Sequence, residues 1–65
     1  MDDADRLMTT ADLARFLVRA ESSIEKDRVN GKLGIPFVRL GRMVRYRRAD
    51  VEAWLSHHVV QNYSQ

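Results

Sequence analysis

Between Phe37 and Arg47 the chain alternates apolar and cationic side chains, and Gly41-Arg42 interrupts the alternation at its centre. Val38, Leu40, Val44 and Tyr46 are the apolar members, with Arg39, Arg45 and Arg47 between them. A period of two marks a strand, and Gly first in a two-residue turn closes a hairpin. A chain of 65 residues built on such a hairpin has room for a few short helices and one thin core, not for a walled cleft. Cysteine is absent, so neither a disulfide nor a thiolate zinc site can staple the domain, and helix-on-hairpin packing has to hold it.

The hairpin poses a register problem. A tight two-residue turn pairs Leu40 with Met43 and sets Val38 opposite Arg45, mixing apolar and charged residues on one face. Keeping all four hydrophobes together needs one extra residue, as a three-residue loop or a bulge near Met43. The bulge is the expected solution, because burying Arg45 without a partner costs far more than a local irregularity.

Helical patterns flank the hairpin. Thr9 or Thr10 is placed to cap a helix over about Thr10–Val18, with Asp12 three residues after Thr9 in a capping-box arrangement. Leu13, Leu17 and Val18, with Ala14 between, form its apolar stripe, and Leu7 stands where it can pack back on that stripe. A second helix is expected from Glu21 to about Val29, stopped by Asn30-Gly31. Ala20, Ile24 and the stem of Arg28 share one face, while Ser22, Glu25, Lys26 and Val29 lie roughly opposite. One large hydrophobe in two turns describes a helix anchored on one side and meeting a ligand on the other. Lys32 to Pro36 reads as loop. A last helix, about Arg48–His58, carries Asp50 and Glu52 near its start, where the helix dipole favours them. Val51, Trp54, Leu55 and His58 follow helical spacing, with Trp54 expected to anchor the core. The order helix, helix, hairpin, helix is an α+β winged helix-turn-helix. It is expected over residues 7–59, between a flexible acidic arm at 1–6 and a frayed tail at 60–65.

The formal charge of +2 conceals a segregation. Residues 1–27 balance to −3 and residues 50–65 to −2, whereas residues 28–49 hold seven cations and no acid. Six of the seven are Arg, whose planar fork suits phosphates and guanine edges. A potential of one sign concentrated in this way draws polyanions. A solvated strand edge protected by charge would not require acids to vanish from 22 consecutive residues.

Chemistry finds no comparable support. Asp2, Asp3 and Asp5 fall in the expected arm, and Asp50 with Glu52 serve a helix start, so no carboxylate pair is held in a desolvated site. His57 and His58 are adjacent and diverge on a helix, with no third ligand for a metal. Gly31, Gly34 and Gly41 lack the spacing of a phosphate loop. The N-terminus has no apolar run behind its acids, and no stretch has the length of a membrane span. The sequence therefore predicts a cytoplasmic protein without enzymatic activity, cofactor, metal, membrane or small-molecule substrate, whose partner is double-stranded DNA. The candidate contacts are Ser22, Ser23, Glu25, Lys26 and Arg28 on the second helix, aimed at a major groove. Glu25 would accept from cytosine or repel the backbone as a filter. On the wing they are Arg39, Arg42, Arg45 and Arg47, gripping phosphates or entering a narrow minor groove.

The run from Pro36 through Val38-Arg39-Leu40-Gly41-Arg42-Met43-Val44-Arg45-Tyr46-Arg47-Arg48-Ala49-Asp50-Val51 to Trp54-Leu55 resembles the wing and closing helix of small excisionase-type winged-helix domains, related to the MerR type. Met8-Thr9-Thr10-Ala11-Asp12-Leu13-Ala14 is similar to that family's opening helix, and the likeness spans about residues 7–57. The resemblance implies sequence-specific binding of short, often repeated sites, with DNA bending. It implies an excisionase, or recombination directionality factor, that directs a partner integrase of the tyrosine or serine class towards excision. Other copies of the chain would occupy adjacent sites. Arg39, Arg42 and Arg45 inherit the wing role. The second helix departs from the pattern, with Ala20 where a Ser cap is usual and Asp27 where an aromatic often precedes Arg. Asp27 is expected to find a basic partner, Arg28 or a hairpin Arg. A small transcriptional regulator of a mobile element shares the same pattern, and a protein-interaction adaptor is the reading from a different class.

Overall fold

The computed structural model describes residues 6–60. Apart from Arg6 and Val60, the expected arm and tail lie outside the described residues. In chain order the elements are β1 (Leu7–Met8), α1 (Thr10–Leu17), α2 (Glu21–Asn30), β2 (Val38–Leu40), β3 (Met43–Arg47) and α3 (Arg48–Ser56). The strands form an antiparallel sheet in the order β1-β3-β2. Leu7 stands opposite Arg47 and Met8 opposite Tyr46, so Leu7 serves a third strand rather than the α1 stripe.

Both ends of α1 are closed locally. The Thr9 amide donates to the Asp12 carboxylate (3.1 Å) and the Asp12 amide donates to Thr9 Oγ1 (3.0 Å), completing the expected capping box. These Thr9 contacts, amide first, with Arg15 and Arg6 nearby, hold the Asp12 carboxyl below its ordinary range. At the other end Val18 and Arg19 donate back to Arg15 and Ala14 carbonyls, the two bonds of a Schellman motif. Val18 fills its left-handed position at φ 55° and is 89% exposed. It ends the helix rather than extending its stripe, at a backbone conformation usually left to Gly.

The hairpin closes without the expected bulge. Leu40 pairs with Met43, Arg39 with Val44 and Val38 with Arg45, through the two-residue turn Gly41-Arg42. Gly41 takes φ +63° and Arg42 a negative φ, the sign pattern of a type II′ turn. The bulge was expected on the premise that all four hydrophobes must enter the core. Only the pleat bearing Val44 and Tyr46 turns inward; Leu40 and Met43 are about half exposed on the other. Arg45 on that outer pleat is never buried unpaired, so the irregularity has nothing to correct.

Leu13, Ala14, Ile24, Ile35, Tyr46 and Val51 form the core, with Met8, Leu17, Leu33, Val44, Trp54 and Leu55 packed against it. Tyr46, at 1% exposure, is its largest fully buried side chain. Trp54, the anchor expected from sequence, is half-buried and ties α3 to the loop after α2 through Nε1–H donated to Leu33 O (2.7 Å). The architecture is α+β, a helix-turn-helix followed by a hairpin wing and a closing helix.

Candidate nucleic-acid interface

The second helix begins bare. Ala20 makes no side-chain cap bond, and only Ile24 and Asp27 are buried along its ten residues. Two polar side chains hold it from within instead. The Asp27 carboxylate accepts from the amides of Leu33, Gly34 (3.3 Å) and Ile35 (3.2 Å), which folds the following loop back on the helix. The partner is backbone, not the Arg28 or hairpin Arg expected from sequence; three converging amides satisfy a buried carboxylate without a second buried ion. Arg28 Nη1 donates to Thr10 Oγ1 (2.9 Å) and Tyr46 Oη (2.8 Å). This half-buried guanidinium joins α1, α2 and β3, and fixes the attitude of α2 towards the hairpin. The stem thus lies on the inward face, as its spacing with Ala20 and Ile24 predicts, and the guanidinium counted there among the DNA contacts is engaged inside the fold.

What α2 turns outward is Ser22, Glu25, Lys26 and Val29, all exposed. Ser23 and Lys26 line a groove along the helix together with Arg19, Asn30 and Lys32, with Asp27 and Leu33 at its floor. Sequence reasoning missed Arg19, Asn30 and Lys32 as members of this surface. Their signal was present: Ser23, Lys26 and Asn30 recur at i, i+3 and i+7, and Arg19 and Lys32 flank the helix at its two ends.

On the hairpin, cations occupy both pleats and the tip. Arg39 shares the inner pleat with Val44 and lies over the Phe37 ring at 5.8 Å. Arg45 is on the outer pleat, donating to Val44 O (2.8 Å). Arg42 stands in the turn. Among the described residues no carboxylate forms an ion pair with Arg39, Arg42 or Arg45, nor with Arg19, Lys26 or Lys32. Ion pairs gather elsewhere: Arg15 with Asp12, Arg47 with Asp50 (3.2 Å) and Arg48 with Glu52 (3.2 Å). Arg47, at the end of β3 away from the turn, thus stands apart from the other three wing arginines. Among the described residues ion pairs therefore hold cations of α1 and of the β3–α3 junction, while those of the α2 groove and the turn half of the hairpin have none.

A family described as helix-turn-helix domain matches residues 7–58. The chain belongs to the helix-turn-helix domain family. No curated protein sequence and no solved structure gives a match. A helix-turn-helix domain suggests sequence-specific DNA binding, and the matched span includes the capped α1, the tethered α2 and the whole hairpin. Among the described residues no helix is long and apolar enough to cross a membrane.

Proposed function

We propose that this helix-turn-helix protein binds duplex DNA with α2 in a major groove and the β2–β3 hairpin as a wing on the neighbouring groove, and that it acts as an excisionase. It does no chemistry itself. Lys26 and Ser22 reach base edges or phosphates, Glu25 filters sequence, and Arg19 and Lys32 hold backbone at the helix ends. Bound copies on adjacent sites bend the DNA so that a partner integrase runs towards excision. The observation that carries the reading is the set of unquenched arginines on a hairpin whose attitude to α2 is fixed by Arg28. Guanidiniums on both pleats and the tip suit a finger lodged between two phosphate walls better than a ribbon lying on one.

The test is a gel shift on duplexes selected from a randomised pool, with scrambled competitor. Neutralising about five phosphates gives a slope of log K against log salt of about −4 to −5. Arg42→Ala with Arg45→Ala weakens binding on all sequences and flattens the slope by about 2, whereas Lys26→Ala also relaxes site preference. A slope near zero overturns the electrostatic basis. The excisionase role is read separately, as a shift of an integrase reaction towards excision when the protein is added.

A further inference from the structure

The wing carries a feature that phosphate binding does not use. Leu40 and Met43 face each other directly across the turn, and they are 47% and 49% exposed. Single exposed hydrophobes are ordinary on a protein surface. A cross-strand pair at the turn end of a hairpin is different, because each side chain covers part of the other and together they leave a continuous apolar surface beside the turn. The turn is open to solvent at Gly41, where apart from its two chain neighbours no atom lies within 4 Å of an added Cβ. Arg45 Nη2 approaches Met43 Sδ at 3.7 Å, so apolar and cationic groups share one pleat. Arg45 shares their pleat, Arg42 stands in the turn that joins them and Arg39 lies on the opposite pleat, and among the described residues none of the three has a carboxylate partner.

We infer that Leu40 and Met43 form an apolar wedge that enters the minor groove of duplex DNA and partly unstacks one base step, with Arg39, Arg42 and Arg45 holding the phosphate walls on either side. Charge complementarity selects the occupant. An apolar protein groove would not call for arginines on both pleats and in the turn beside two hydrophobes, whereas the minor groove offers apolar sugar walls between two rows of phosphates. The geometry requires the groove to open. Two paired backbones stand about 4.8 Å apart before side chains are added, and an undistorted minor groove is about 6 Å wide. Leu and Met wedges widen it by unstacking a step, which bends the duplex towards the major groove. Pyrimidine–purine steps yield most readily, so the wedge adds a preference for TA or CA steps that no hydrogen bond reads. This inference rests on the DNA-binding reading above and names how that same wing produces bending.

The probe is a mixed-sequence duplex of about 30 base pairs with TA steps, each labelled in turn with 2-aminopurine, and a fluorophore pair at its ends. The full chain is expected to raise 2-aminopurine fluorescence several-fold at one step and to shorten the end-to-end distance. Leu40→Gln with Met43→Gln abolishes both signals and weakens binding about tenfold, with the salt slope unchanged. Leu40→Met with Met43→Leu keeps both. Binding by the Gln pair with full bend and full 2-aminopurine signal overturns the wedge alone. Failure of the unmodified chain to bind the duplex at low salt overturns the DNA reading and the wedge with it. A concentration-dependent dimer in sedimentation that the Gln pair abolishes assigns these residues to a second copy of the chain, and also overturns the wedge.

Discussion

The two helices of the helix-turn-helix are held by opposite means. α1 closes itself with a capping box at one end and a Schellman turn at the other, and it buries Leu13 and Ala14 on one side. α2 has no side-chain cap, buries one hydrophobe, and depends on Asp27 and Arg28 reaching other parts of the chain. Isolated helices of this length are marginal in water, so local closure suffices for α1 only together with packing, and α2 relies on its tethers. The difference teaches where a recognition helix can store its stability. Polar tethers on the inward face leave the outward positions Ser22, Glu25, Lys26 and Val29 free of any folding duty.

Removing a tether should therefore break the contrast most sharply. Asp27→Ala leaves three amides without their acceptor, Ile35 buried and Leu33 and Gly34 part-buried, for a loss of about 2–3 kcal/mol. A domain this small holds only about 3–10 kcal/mol in all. Chemical denaturation should show Asp27→Ala far less stable than any change at the α1 cap. A loss below that of Thr9→Ala, about 1 kcal/mol, would show that the loop amides find other partners.

Arg28→Met is the next largest and separates stability from binding. The thioether keeps the apolar stem while losing the bonds to Thr10 and Tyr46, at a cost of about 2 kcal/mol. DNA affinity falls because α2 and the wing lose their fixed relation, yet the salt slope keeps its value because no phosphate contact is lost. Gel shifts across a salt series check this. A slope flatter by about 1 would return Arg28 to the DNA-contacting set.

The contrast also explains how far the sequence was legible. Signals confined to a few neighbouring residues read correctly: the Thr9–Asp12 box, the stop at Gly31, the Gly41-Arg42 turn and the burial of Ile24 are written in local pattern. Signals that depend on distant partners did not. Nothing in the sequence says that the Asp27 carboxylate meets amides six to eight residues on, or that Arg28 crosses to Tyr46. The register of the hairpin failed for a related reason. Alternation says which residues share a pleat, but which pleat meets the core is decided by α1 and α3. The two-residue strand β1 is too short to carry any period. At the candidate site, the cationic block was visible by counting charge. Its division into quenched and unquenched arginines was also written locally, since Arg47 with Asp50 and Arg48 with Glu52 stand at i, i+3 and i, i+4; it went unread because both acids were assigned to the helix dipole alone.

The smallest effect sharpens the comparison by making α2 resemble α1. Ala20 is already extended, at φ −71° and ψ 145°, the backbone a capping residue needs. Ser23 N–H, which donates to Ala20 O (3.1 Å), lies among the first-turn amides a hydroxyl at position 20 could serve. Ala20→Ser should add about 1 kcal/mol, seen as a higher denaturation midpoint with an unchanged denaturant slope. If the tethers already order the first turn fully, the gain is confined to the cap bond and DNA affinity stays constant. If instead the bare end frays in the free protein, part of the binding energy is spent on ordering it. Ala20→Ser would then tighten DNA binding by up to the same amount, about fivefold. Measuring stability and affinity on one variant thus distinguishes a helix preformed by Asp27 and Arg28 from one that DNA completes.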